Sequence, residues 1–418
     1  MPYLWRIDFR LSLNSIYCLT QIKSKYDLTF TRELIKIESM KKVAFSLKYI
    51  SSLPIKWQLI FSSALIGLLT GSSAVLFYFL LQQLSGFLFQ LPRYYYLIFP
   101  AIGATISAVL IYRFAPEAEG HGIDAVAKAF HQNEGYVPIK VSIVKAISSI
   151  FTLGFGGSGG VEGPIAQIGS GIGSKIARVF RLDVDMTRSL MLARAAGGIG
   201  AIFKAPLGGA FASIEIIYRE DFEARALIPA IISSISGYFI YLFWVPGKNV
   251  LNFPQSLFKS YQEFPAYIIL AIICVLMGAF FVKFFYLIRS MTSRLKISIY
   301  LKPAIGGLLV GLIGFFFPRA MGANLKPLIE LTTTSFPFIF ILTLLFLKLI
   351  ATCFTIGTGG SGGVFGPSLF IGGMTGAMVH QLLIMLHFPL PIPSQTAFVL
   401  VGMAGFFLPV LPKRPLAR

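Results

Sequence analysis

Acidic side chains are scarce in this chain: 17 Asp and Glu stand against 36 Lys and Arg in 418 residues, and none follows Gly362. Charged residues of both signs make up only 13%, about half the ~25% usual in a soluble domain. A soluble globular fold is thereby excluded. Cysteine is also rare, and Cys18, Cys274 and Cys353 have neither disulfide nor metal-ligand spacing. The four histidines are equally dispersed. These absences predict no metal site and no cofactor. No nucleophile, base and metal set converges anywhere, so an enzyme is not expected.

What is present is apolar surface. Hydrophobic residues reach 56%, mean hydropathy is +0.76, and there are 40 Gly and 40 Phe. That composition fits closely packed membrane helices with small-residue contacts, and so an all-α polytopic membrane protein in the cell inner or plasma membrane. The formal net charge of +19 in a soluble chain would suggest nucleic acid. Here Lys and Arg gather in short loops and at helix ends, where they set orientation and face anionic lipid. The predicted partner is the lipid bilayer, with no nucleic acid.

Residues 1–54 are the most polar stretch and read as a cytoplasmic N-terminal segment. Met40 would also serve as a start, which makes 1–39 a candidate upstream extension. Apolar spans follow at Ile55–Leu91, Tyr94–Tyr112, Val141–Phe155, Leu227–Val245, Ala266–Ile288, Ala304–Phe317, Phe338–Thr355 and Ala397–Phe407. Several fall short of the ~20 residues of a full crossing, which predicts broken, partly re-entrant helices. Ser174–Arg194 carries Lys175, Arg178, Arg181, Arg188 and Arg194 and is expected to surface at an interface.

An internal repeat organises these spans. GGSGGVEGP at Gly156–Pro164 recurs as GGSGGVFGP at Gly359–Pro367, 203 positions later, with Phe365 in place of Glu162. Pro100-Ala-Ile-Gly103 recurs at Pro303–Gly306 with the same offset. Residues 55–245 are therefore a first transmembrane repeat and 246–407 a second. Glycine-interrupted helices at corresponding places in two halves point to a transport pathway between them. Both glycine runs satisfy G-x-G-x-x-G, but no strand-and-acid context supports a dinucleotide site. Pro164 reads as the start of a helix, and a lone carboxylate at such a start, at membrane depth, reads as functional.

The stretches GHGID (Gly120–Asp124), GGVEGP (Gly159–Pro164) and GGVFGP (Gly362–Pro367), in that order, resemble the CLC family of chloride channels and proton-coupled chloride transporters. The resemblance covers nearly all of the chain from about Lys42. It implies inverted-topology repeats, a homodimer with one pore per subunit, and Glu162 as the gating glutamate over an outer anion site. The anion-binding set it implies is His121, Gly122, Ile123, Gly160, Val161, Gly163, Gly363, Val364 and Phe365. His121 stands where the family often has a serine. Ile216 stands where proton-coupled members carry a second, proton-passing glutamate, which favours passive, channel-like chloride conduction over a chloride/proton antiporter. Residues 408–418 depart from the family: Pro409, Pro412 and Pro415 oppose a continuing helix. The tail reads as a one-base frameshift, making the chain a truncated member and adding a non-conducting remnant to the competing readings.

Overall fold

In a computed structural model, residues 54–133, 135–180, 184–217, 224–245, 260–334 and 336–410 are described. The expected N-terminal segment before residue 54 and the last eight residues of the expected aberrant tail lie outside them. The described residues form helices with one isolated β-bridge. In chain order the helices are α1 (Ile55–Gln90), α2 (Phe99–Phe114), α3 (Ile123–Gln132), α4 (Ile139–Gly154), α5 (Glu162–Val179), α6 (Val184–Ile202) and α7 (Pro206–Ile217). Then come α8 (Ala224–Trp244), α9 (Phe264–Arg294), α10 (Leu301–Phe316), α11 (Lys326–Thr333), α12 (Phe338–Gly357), α13 (Phe365–Met385) and α14 (Gln395–Val410).

Six helical stretches among the described residues are long and apolar enough to cross a membrane, and three apolar ones are shorter. The protein is a multi-pass membrane protein. Two 3-10 turns, Pro116–Ala118 and Pro318–Ala320, precede the short helices α3 and α11, so the repeat extends to its turns. The helix expected to start at Pro164 starts two residues earlier, at Glu162, and its copy starts at Phe365. α14 runs on through Pro409 to Val410, past the expected end of the last span at Phe407.

Glycine sets how closely the helices approach. A Cβ on Gly71 of α1 would lie 2.6 Å from the carbonyl oxygen and 2.7 Å from the Cα of Gly237 on α8. Backbone cannot yield as a side-chain tip can. Gly71→Ala should therefore lower stability by about 1–3 kcal/mol, seen as a lower thermal midpoint in detergent.

Arg194 corrects one expectation. Lys175 and Arg178 are exposed as predicted, but Arg194 is fully buried. α6 is buried over most of its described length, and the guanidinium is drawn inward by the Gly135 carbonyl (3.2 Å) and the Ser174 hydroxyl (3.0 Å). Both bonds come from Nη1, while Nε and Nη2 have no hydrogen-bond partner among the described residues; local sequence does not reveal this.

Candidate functional site: a carboxylate between two glycine turns

Each glycine run is a turn that joins two helices. Gly156 (φ 96°) and Gly359 (φ 107°) take the left-handed conformation that ends α4 and α12, which a side chain would disfavour. Beyond them the two runs meet each other. Gly160 N–H donates to the Gly363 carbonyl (2.7 Å) and Gly363 N–H to the Gly160 carbonyl (2.6 Å), an antiparallel bridge between one residue and its own repeat copy.

The same reciprocity recurs around the bridge. Ser158 N–H donates to Thr355 Oγ1 (2.9 Å), and Ser361 N–H to Thr152 Oγ1 (3.2 Å). Ser158 Oγ pairs with Thr352 Oγ1 (3.0 Å), and Ser361 Oγ with Ser149 Oγ (2.8 Å). Each contact is the 203-residue copy of its partner with the halves exchanged. Only a two-fold relation produces such self-complementary pairing, so the two halves are related by an internal pseudo-two-fold axis. Buried lysines are repeated as well, each within its own half. Lys145 Nζ donates to the carbonyls of Ala118 and Gly120, and Lys348 Nζ to those of Ala320 (3.2 Å) and Gly322 (2.8 Å). Each anchors the turn ahead of a short helix.

At the axis the symmetry breaks at one side chain. Glu162 opens α5, is 2% exposed, and its Oε1 accepts the N–H of Phe365 (2.7 Å) at the start of α13. The two glutamate-for-phenylalanine copies thus meet each other, side chain to backbone. Its Oε2 is buried without a hydrogen-bond partner among the described residues. A Cβ on Gly160 or on Gly363 would run into this carboxylate; these glycines leave room for it.

The helix starts supply the electrostatics. None of α3, α5 and α13 has a side-chain cap at its N-terminus. First-turn N–H groups lack intrahelical acceptors and carry the positive end of the helix dipole. An anion fits such a place, and the Glu162 carboxylate stands there as an anion would.

The expected site residues are distributed as follows. Ile123, Glu162 and Phe365, one from each motif, line a common small pocket. Val161 and Val364 are the N-cap residues of α5 and α13. Gly163 packs on the His121 carbonyl oxygen, and a Cβ on Gly122 would lie 2.7 Å from the Gly163 carbonyl oxygen, so the first motif abuts the second. The His121 ring donates no hydrogen bond toward Glu162. Its Nε2 pairs instead with Asp124 Oδ2 at 2.8 Å. Ile216 lies at the end of α7, and its side chain is outside the described residues.

The pocket also includes Ile199 of α6 and Ala212 of α7, and Phe203 sets its ring edge-on to Phe365 at 5.4 Å between centroids. Sequence reasoning missed all three. Their one signal was position beside Ala205-Pro206-Leu207, where proline breaks the small-residue apolar stretch Ala193–Tyr218.

The comparisons agree with this architecture. A family model described as a voltage gated chloride channel matches residues 103–411. An uncharacterized protein of Methanocaldococcus jannaschii is 33% identical over 330 residues, 79% of this chain and 80% of that protein. The H(+)/Cl(-) exchange transporter ClcA of Vibrio cholerae is 28% identical over 404 residues, 90% of this chain and 84% of its own. Among solved structures, a slow cyanobacterial Cl-/H+ antiporter superposes with a TM-score of 0.73 at 20% identity, over 85% of this chain and 86% of that one. That likeness concerns the fold, whereas the family model and the archaeal relative bear on descent. With an inverted repeat closed around one buried glutamate, the chain belongs to the CLC family of voltage-gated chloride channels.

Proposed function

We propose that the protein is a chloride-conducting membrane protein whose pathway is closed by Glu162. The observation that carries this reading is the Glu162 carboxylate on the Phe365 N–H, at a helix start with no other cap. A halide held there by N–H dipoles binds without meeting a full positive charge, so it can also leave. The anion-binding set is the one named from sequence: His121, Gly122, Ile123, Gly160, Val161, Gly163, Gly363, Val364 and Phe365.

Transport is channel-like and passive in this reading, because isoleucine at 216 has no proton to pass. A second reading, coupled chloride/proton exchange, is favoured by the name of the Vibrio cholerae relative. The two separate on one measurement in liposomes. A reversal potential that follows the chloride gradient and ignores a pH gradient supports passive conduction. A potential displaced by the pH gradient at fixed chloride supports exchange, and no anion flux in any gradient overturns both. We also propose a homodimer in the cell inner or plasma membrane with one pathway per subunit, as the family resemblance implies. A single-subunit mass in detergent and in bilayers would contradict it.

A further inference from the structure

By the resemblance, His121 stands where the family often has a serine, whose hydroxyl is a donor at any pH. An imidazole differs, because each ring nitrogen is either a donor or an acceptor depending on its proton. Here one nitrogen is committed: Nε2 lies 2.8 Å from Asp124 Oδ2. A carboxylate accepts only, so the proton of the neutral ring is on Nε2. The other nitrogen, Nδ1, then carries a lone pair. It is buried, in a side chain 8% exposed, and has no hydrogen-bond partner among the described residues.

A bare lone pair repels an anion. The same nitrogen with a proton becomes an N–H donor on an imidazolium, with Asp124 already placed to balance its charge. A second unsatisfied cluster lies beside it. Gln167 Oε1, 3.2 Å from where a Cβ on Gly122 would be, is likewise buried without a partner, as is Glu162 Oε2. Three unsatisfied acceptors thus belong to the segments that meet around Gly122 and Gly163. A proton on Nδ1 turns one of these three acceptors into a donor.

The geometry points to His121 Nδ1 as a proton-binding site of the anion pathway: the ring takes up one proton when an anion binds beside it, and Asp124 is the positioning residue that reserves Nδ1 for that proton. This rests on the reading of the three motifs as an anion site. The balance is simple. One proton from solvent adds to the Nδ1 lone pair, no bond breaks, and the Nε2–H remains on Asp124. The cation so formed is balanced by Asp124 and, on this reading, by one bound anion.

Other ionisable groups stand on the elements packed around this pair. They are Glu162 on α5, Lys145 on α4 through the Gly120 carbonyl, Glu119 in the loop before the motif, and Arg289 and Tyr286 on α9. Glu162 is the one whose own titration would imitate the effect, so it must be silenced in the test.

The experiment uses the full chain carrying Glu162→Gln, in detergent, with chloride binding followed by calorimetry between about pH 8 and about pH 5, where imidazoles take up a proton. Chloride affinity should rise as pH falls, by up to about tenfold per pH unit, and reciprocally each chloride bound should draw in up to about one proton. Proton uptake is read by repeating the titration in buffers of different ionisation enthalpy. Adding His121→Ser, whose hydroxyl is a donor at any pH, should remove both effects, whatever it does to the affinity itself. As an independent variant, Asp124→Asn keeps an acceptor for Nε2–H but loses the negative charge. The pH midpoint of chloride binding should then move to lower pH.

Affinity in Glu162→Gln that ignores pH overturns the proposal. So does a pH dependence that survives His121→Ser, or a midpoint that Asp124→Asn leaves in place. If Glu162→Gln binds no chloride at any pH, the anion-site reading itself fails, an outcome distinct from binding without protons.

Discussion

Glu162→Ala should bind chloride about ten to a hundred times more tightly than the unaltered chain and should conduct it faster. The carboxylate is an intramolecular competitor that holds the Phe365 N–H. A hydrogen bond to a charged group is worth about 1.5–3 kcal/mol, and each 1.4 kcal/mol is a factor of ten in binding. Alanine frees that N–H and empties the space between Gly160 and Gly363. Acid acts in the same direction on the unaltered chain, because a protonated carboxyl is a weaker acceptor and a weaker competitor. The part of the pH dependence that belongs to this carboxyl should therefore vanish in the variant. Calorimetric chloride titration and efflux from liposomes check the two quantities separately. Binding and flux that ignore the substitution would remove Glu162 from the pathway.

Gly160→Ala should produce much of the same effect without touching the glutamate. The atoms that an added Cβ at 160 meets first all belong to the Glu162 carboxylate. That group is the tip of a flexible side chain, so it can swing away, whereas backbone could not. The methyl group would keep it off the Phe365 N–H and leave the anion place open. Chloride affinity should rise about tenfold, within the range set by one charge-assisted hydrogen bond. The double variant Gly160→Ala/Glu162→Ala should behave like Glu162→Ala alone, since both changes remove one interaction and are strongly non-additive. Additive effects would mean that the alanine acts on the Gly160–Gly363 bridge itself.

The sequence by itself determined more of this protein than is usual for a single chain. Scarce charge and long apolar runs required a membrane fold, because in lipid the backbone must satisfy itself within helices. Breaks at Gly156 and Gly359 and at Ala205-Pro206-Leu207 followed from residues that end or restart helices. The 203-residue offset identified equivalent positions and singled out Glu162 against Phe365. Local chemistry and periodicity encode all of this.

Other features were decided only in three dimensions. The two-fold relation of the repeats became visible in the exchanged pairs Ser158–Thr355 and Ser361–Thr152, since identity at a fixed offset carries no direction in space. Arg194 looked like an interface residue by its neighbours in sequence, yet α6 packs it inside against Gly135 and Ser174. Ile199, Phe203 and Ala212 reached the site because α6 and α7 fold back on the two glycine turns. His121 was readable as a residue of the first motif, but its commitment to Asp124 depends on a rotamer and a helix start. The physical reason is common to the first three. A sequence fixes which groups a segment carries and how that segment coils, whereas partners across 20 to 200 residues are chosen by packing.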